Sequence, residues 1–310
     1  MTVCIAASCE HGKVLVAATD GALSYGGIKA ETGKLKGWLF DDWLFMYSGE
    51  PSSADLIADE MKSQMQGDAE CLKRDRVKLT LRRAFRKHLS HWASDAILSP
   101  FDLDIDEFKK EGMRLFGEKV VAEITMSIKD RAQQFVGQIL LVGWGSGRTP
   151  LIHEENWEGS ASHATTGMAA IGSGGSVAMS QMLLLGQNSN LKLEDTLYTV
   201  AAAKFAAEQA EGVGKETTMM VLWKRRESDD KNRIAGKFIQ TDEINKLRDI
   251  WEEYGRPQVP YARYDDLANI IQLSHVPNDI RSEEGAISQA KWKSFKEKLS
   301  TAKPGESVGF

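Results

Sequence analysis

Two short apolar runs open the chain, Thr2–Ser8 and Val14–Thr19, separated by the polar cluster Glu10-His11-Gly12-Lys13. Runs of this length bounded by turn-forming residues predict buried strands, and their close spacing predicts a hairpin. A Gly-containing loop (Gly21, Gly26, Gly27, Gly33) leads to the stretch Trp38–Tyr47, which the acidic pair Asp41–Asp42 splits into a second hairpin. Gly49-Glu50-Pro51-Ser52-Ser53 then predicts a helix start capped by Ser52 or Ser53, with Leu56, Ile57, Met61 and Met65 at helical spacing. Val77–Trp92 predicts a second helix, because Leu81, Phe85, Leu89 and Trp92 form one stripe. Asp104–Asp130 reads as helix with a break near Gly112–Gly117. Strands follow at Phe135–Trp144, Leu151–His153 and Met168–Ile171. A Gly-rich turn at 172–175 opens another helix, and Leu193–Glu211 is an Ala-rich helix with Leu197, Val200, Ala201, Lys204 and Phe205 in register. Thr217–Trp223 reads as a strand.

Strands and helices come in blocks, which predicts an α+β fold rather than βαβ repeats. Helices outside two stacked sheets, a four-layer αββα sandwich, would bury such strands on both faces. The composition shifts after Trp223: residues 225–310 hold 15 basic residues, 15 acidic residues and four of the seven prolines. This predicts a main domain over 2–223, with a helical insertion at about 68–130, and a partly helical C-terminal appendage over 224–310. Within the appendage Glu243–Glu253 and Gln289–Leu299 read as amphipathic helices, and Thr301–Phe310 as a flexible tail.

The 310 residues carry a net charge of −5. That balance argues against a nucleic-acid binder. No apolar run reaches the ~20 residues of a membrane helix, and the start lacks a signal-peptide pattern, so a cytoplasmic location away from membranes is expected. Cys4, Cys9 and Cys71 are too few and too irregular for a disulfide framework or a zinc site. Residues 73–87 carry eight Lys/Arg against one Asp, which fits a solvated helix face or a surface for an acidic partner. Lys215 is followed by Glu, which breaks the phosphate-loop pattern, and the GSGG at 172–175 lacks a dinucleotide fingerprint. His88 and His91 lie three apart with no evident third ligand. No cofactor and no metal are expected.

The residue after Met1 is small, so removal of the initiator methionine would leave Thr2 at the N-terminus. An N-terminal Thr carries a hydroxyl nucleophile and an α-amine whose pKa of about 7.7 lets it act as base. Five segments around this residue resemble, in order, the N-terminal-nucleophile hydrolases, in particular the proteasome β-subunit family and its bacterial ancestral β-subunit relatives. They are Thr2-Val3-Cys4-Ile5-Ala6, Val14–Asp20, Gly33-Lys34-Leu35-Lys36, Met46-Tyr47-Ser48-Gly49 and Ala170–Gly175. The resemblance covers roughly residues 2–223 and implies the four-layer fold of that family.

The resemblance also implies roles. Thr2 would be the nucleophile, and a lysine, Lys36 or alternatively Lys34, would stabilise charge on its oxygen. Asp20 would pair with that lysine, Gly49 would give its N–H to the oxyanion, and Ser173 would orient the α-amine. The family's Asp near the end of the helix before the last strand is missing; Glu208 and Glu211 stand in that region. Cys4 is a buried strand residue rather than a second nucleophile. The implied activity is a threonine-type peptidase acting on peptides or proteins. The alternatives are an inactive subunit of the same fold and a non-peptide amidohydrolase. A ring-like homo-oligomer is expected on the resemblance, with an ATPase as a conceivable partner.

Overall fold

The computed structural model describes residues 2–25, 28–31, 37–40, 43–65, 74–135, 137–144, 150–224 and 234–254. Strands β1 (Cys4–Cys9) and β2 (Val14–Asp20) form the expected hairpin, with a short 3-10 turn at Glu10–Gly12. They lie in a five-stranded antiparallel sheet of order β10-β1-β2-β11-β12, completed by β10 (Met168–Ile171), β11 (Thr217–Lys224) and β12 (Ile234–Phe238). A second five-stranded sheet has the order β5-β6-β7-β8-β9. Its strands are β5 (Gly37–Phe40), β6 (Trp43–Ser48), β7 (Gln138–Trp144), β8 (Pro150–Asn156) and β9 (Ser160–Ser162). A separate pair, β3 (Ala22–Tyr25) and β4 (Ile28–Glu31), occupies part of the stretch expected as a Gly-containing loop.

Alternation along the strands builds the layers, because successive side chains point to opposite faces. Cys4, Ala6, Leu15, Ala17, Met220 and Leu222 of the first sheet meet Leu44, Met46, Leu140, Val142 and Trp144 of the second in a core between the sheets. Their neighbours Ile5, Ala7, Val16, Ala18 and Val221 turn outward onto α4 (Gly175–Leu184), α5 (Leu193–Ala207) and α6 (Thr241–Tyr254). Phe45, Tyr47, Ile139 and Leu141 turn outward from the second sheet onto α1 (Pro51–Met65) and α2 (Arg74–Ala93). The layers are therefore helix, sheet, sheet, helix. Continuous apolar strands are what such burial on both faces requires.

Helix α1 begins at Pro51, so Ser52 and Ser53 lie inside its first turn rather than capping it. Proline's fixed φ suits the first helical position, where its missing N–H costs nothing. Leu56 points to solvent, and the buried stripe is Ala54, Ile57, Ala58, Met61 and Met65. After α2, a turn of π-helix (Ser94–Leu98) and a 3-10 turn (Ser99–Phe101) lead to α3 (Ile105–Phe135), whose helical geometry is interrupted at Gly117 inside the expected break. Ile97, Leu98, Phe108 and Ile124 form a small satellite core there. Arg76, Arg82, Arg83 and Arg86 of the basic run are exposed. Helix α5 stops at Ala207, four residues short of the expected end.

The segment after Trp223 supplies β12, which pairs with β11 along Met220–Lys224, and α6, which packs on α5. Lys34, Lys36, Cys71, Gln289–Leu299 and Thr301–Phe310 lie outside the described residues. Among the described residues no helix is long and apolar enough to cross a membrane.

Candidate active site

Strand register brings the candidate residues to one end of the sandwich. Cys4 pairs with both Thr19 of β2 and Ile171 of β10, so Thr2 lies just beyond this end of β1. Asp20 closes β2 opposite Thr217 of β11. In the other sheet Ser48, the last residue of β6, pairs with Gln138, the first of β7.

Thr2 and Asp20 are both buried. The Thr2 hydroxyl donates to Asp20 Oδ1, which also accepts the Val3 N–H at 3.1 Å. Asp20 Oδ2 accepts the Gly214 N–H at 2.8 Å. A carboxylate buried without such donors would be strongly disfavoured, so these bonds are what let Asp20 sit there. The geometry sets the Thr2 hydroxyl against the Asp20 carboxylate, two residues ahead of β1.

The Gly172-Ser173-Gly174 turn wraps the Thr2 carbonyl. Gly174 N–H donates to it at 3.3 Å and Ser173 Oγ at 3.4 Å, and the Ser173 hydroxyl also reaches the Glu211 carbonyl oxygen at 3.2 Å. The Gly172 N–H donates to Gln138 Oε1 at 2.8 Å, which ties the turn to the second sheet. Gly49 follows β6 with a φ of 142°, and Gly137 lies so close that a Cβ there would sit 2.8 Å from Gly49 Cα. Thr2, Asp20, Ser173 and the Ser48–Gly49 turn are thus one neighbourhood, since a Cβ on Gly172 would meet both the Thr2 carbonyl oxygen and Ser48 Oγ.

The two glutamates differ. Glu211 enters through its carbonyl oxygen, and its side chain is exposed. The Glu208 carboxylate is taken up by Lys204 Nζ at 2.5 Å and by Arg248, whose two terminal nitrogens lie 2.7 and 2.8 Å from it. Lys204 is fully buried and also donates to the Gly214 and Lys215 carbonyl oxygens at 2.8 and 3.0 Å. Burial pushes its pKa below the ordinary lysine value, and the Glu208 carboxylate opposes that shift. The sequence reading missed Gln138, Gly214, Lys204 and Arg248. Its one available signal was a lysine on the apolar stripe of α5.

Cys4 is buried, and its Sγ donates to the Tyr47 carbonyl at 3.1 Å, an ordinary packed thiol. His88 is half-buried, with its pKa held below the usual imidazole range by burial, while His91 is exposed. No cluster of three metal-ligating side chains occurs among the described residues.

The four-layer αββα sandwich, two antiparallel sheets between helical layers, is a proteasome-like fold. Solved structures bear this out. Anbu (Gly-1) mutant from Hyphomicrobium sp. strain MC1 aligns with a TM-score of 0.55 at 14% identity, over 83% of this chain and 95% of that one. Anbu (ancestral beta-subunit) from Yersinia bercovieri aligns with a TM-score of 0.55 at 11% identity, over 89% of this chain and 98% of that one. No family model and no curated protein matches the sequence.

Proposed function

We propose that the chain is a proteasome-like peptidase of the threonine type. With Met1 removed, the Thr2 α-amine takes the hydroxyl proton as Oγ attacks a peptide carbonyl and passes it to the leaving nitrogen as the C–N bond breaks, giving an acyl-enzyme and a free amine product. Water, deprotonated by the same amine, then hydrolyses the ester and returns the proton to Thr2 Oγ. Asp20 holds the hydroxyl, and Lys36, or Lys34 in its place, supplies the positive charge that favours the developing alkoxide. The Gly49 N–H receives the oxyanion, and Ser173, whose Oγ lies on the Thr2 carbonyl oxygen rather than on the nitrogen, orients the α-amine through the Thr2 main chain. The enzyme works as a homo-oligomer on peptide or protein substrates. The observation that carries this reading is the bond from the buried Thr2 hydroxyl to Asp20 at the rim of a proteasome-like fold.

The test combines intact mass, sedimentation and covalent labelling of the purified protein. A mass lacking Met1, an assembly larger than the 34.3 kDa chain, and labelling of Thr2 by an N-terminal-threonine probe are expected. Thr2→Ala should abolish both labelling and peptide hydrolysis, by at least about 10³-fold. Quantitative retention of Met1, or hydrolysis that survives in Thr2→Ala, overturns the proposal. An inactive subunit is the second reading, favoured by one feature: the Glu208 carboxylate is committed to Lys204 and Arg248, and that of Glu211 faces solvent. A Met1-free chain that resists the probe would support it.

A further inference from the structure

Lys204 is a fully buried cation whose bonds lead to the site in two steps. Its ammonium holds the Gly214 carbonyl oxygen at 2.8 Å, and the N–H of the same residue, Gly214, donates to Asp20 Oδ2 at 2.8 Å. The residue that gives Asp20 one of its donors is therefore clamped from the far side by Lys204. The clamp has a second jaw. Arg248 of α6 forks the Glu208 carboxylate and reaches the Lys215 carbonyl at 3.0 Å, the oxygen that Lys204 also holds. Its guanidinium lies 4.1 Å from the centre of the Phe205 ring, which fixes its plane. Glu208 thus balances two cations, and those cations hold two successive carbonyls of the turn whose Gly214 N–H donates to Asp20.

We propose that Lys204 is a positioning residue for Asp20, set in place by Glu208 and Arg248, so that the helix following the last core strands completes the catalytic end of the sandwich. This rests on the threonine-peptidase reading for its consequence in catalysis, but not for the hydrogen-bond chain. A neutral side chain at 204 releases the Gly214–Lys215 turn and leaves Glu208 with Arg248 alone. The Gly214 N–H then loses its fixed aim at Oδ2, and Asp20 no longer holds the Thr2 hydroxyl in one geometry. Misplacement of that order slows chemistry without weakening substrate binding.

The experiment follows two variants of the full chain, Lys204→Met and Arg248→Gln, by hydrogen exchange at the Gly214 amide and by the rate of Thr2 labelling and peptide turnover. In Lys204→Met, exchange at Gly214 should rise and kcat fall, each by about tenfold or more, with KM unchanged. Arg248→Gln should produce smaller changes of the same kind, and Arg248→Lys should restore part of both. Arg248 is partly exposed, so its variants disturb packing less than Lys204→Met, and Arg248→Lys, which keeps a cation on Glu208, supplies the exchange and labelling readout where the neutral variants fail to fold. Exchange at Gly214 that matches the unmodified protein overturns the proposal. Faster exchange with unchanged labelling also overturns it, since the clamp would then brace a turn and nothing more. A parent chain that fails to react with the probe sinks the peptidase reading instead, and the exchange measurement still judges the link from Lys204 to Asp20.

Discussion

Gly172 has a φ of 91°, and a methyl group on its Cα would meet the Thr2 carbonyl oxygen and lie 2.9 Å from Ser48 Oγ. Alanine there combines left-handed backbone strain with a collision against the strand end that carries Thr2. Gly172→Ala should lose about 2–4 kcal/mol in urea denaturation and react slowly with the threonine probe. Gly186 has a comparable φ of 68° but open space around it, so Gly186→Ala should lose only about 1–2 kcal/mol and label normally. Equal losses in the two variants would show that the contact at Thr2 carries no weight. At this scale the sequence showed one part of the site and hid another. Thr2 and Asp20 meet because a hairpin puts the start of one strand beside the end of the next, a relation a reader can count along the chain. Gln138 and Gly214 meet the site through tertiary contacts, from strands and turns far away in sequence, and nothing local marks a glutamine side chain that will accept from Gly172 or a glycine N–H that will face Asp20.

Helix α5 is buried nearly all round, between β1 and β2 on one side and α4 and α6 on others. Ala201, Ala202 and Ala203 have no exposed surface, so it is small side chains that allow this close approach. Ala202→Leu should therefore destabilise the protein by about 1–3 kcal/mol despite leucine's good helix propensity, as read by urea denaturation. A variant as stable as the parent would mean that slack exists between α5 and its neighbours. Such packing explains which elements were legible. Long apolar strands and striped helices announce themselves, and α2, α5, β1, β2, β7 and β11 were all anticipated. β9 is Ser-Ala-Ser on an edge, with no apolar face to signal it, and β3 with β4 sits in a glycine-marked stretch that reads as loop. The serines of α1 read as caps because their chemistry suits that role, but Pro51 takes the first turn and pushes them inside it.

At the scale of the whole molecule, β12 and α6 pose the question of where the fold ends. Composition sets a boundary after Trp223, since charge and proline rise there. The packing runs across it. β12 covers the edge of β11 over five register pairs, and Ile239, Ile244, Leu247 and Ile250 join the core above the first sheet. Each such side chain contributes about 1.5–3 kcal/mol on burial, so the four together rival the ~5–15 kcal/mol net stability of an ordinary domain. Removing them also exposes the backbone edge of β11, an invitation to pair with other chains. It strips Arg248 from Glu208 as well, leaving a nearly buried carboxylate with Lys204 alone. A fragment of residues 1–224 should accordingly be insoluble or unfolded by circular dichroism, whereas a fragment of residues 1–254 keeps β12, α6 and the Glu208 clamp. If the 1–224 fragment unfolds in urea at the same midpoint as the 1–254 fragment, β12 and α6 are an ornament on a self-sufficient sandwich. If it fails while Arg248→Gln in the full chain folds normally, then α6 stabilises the sandwich through its apolar face rather than through Arg248.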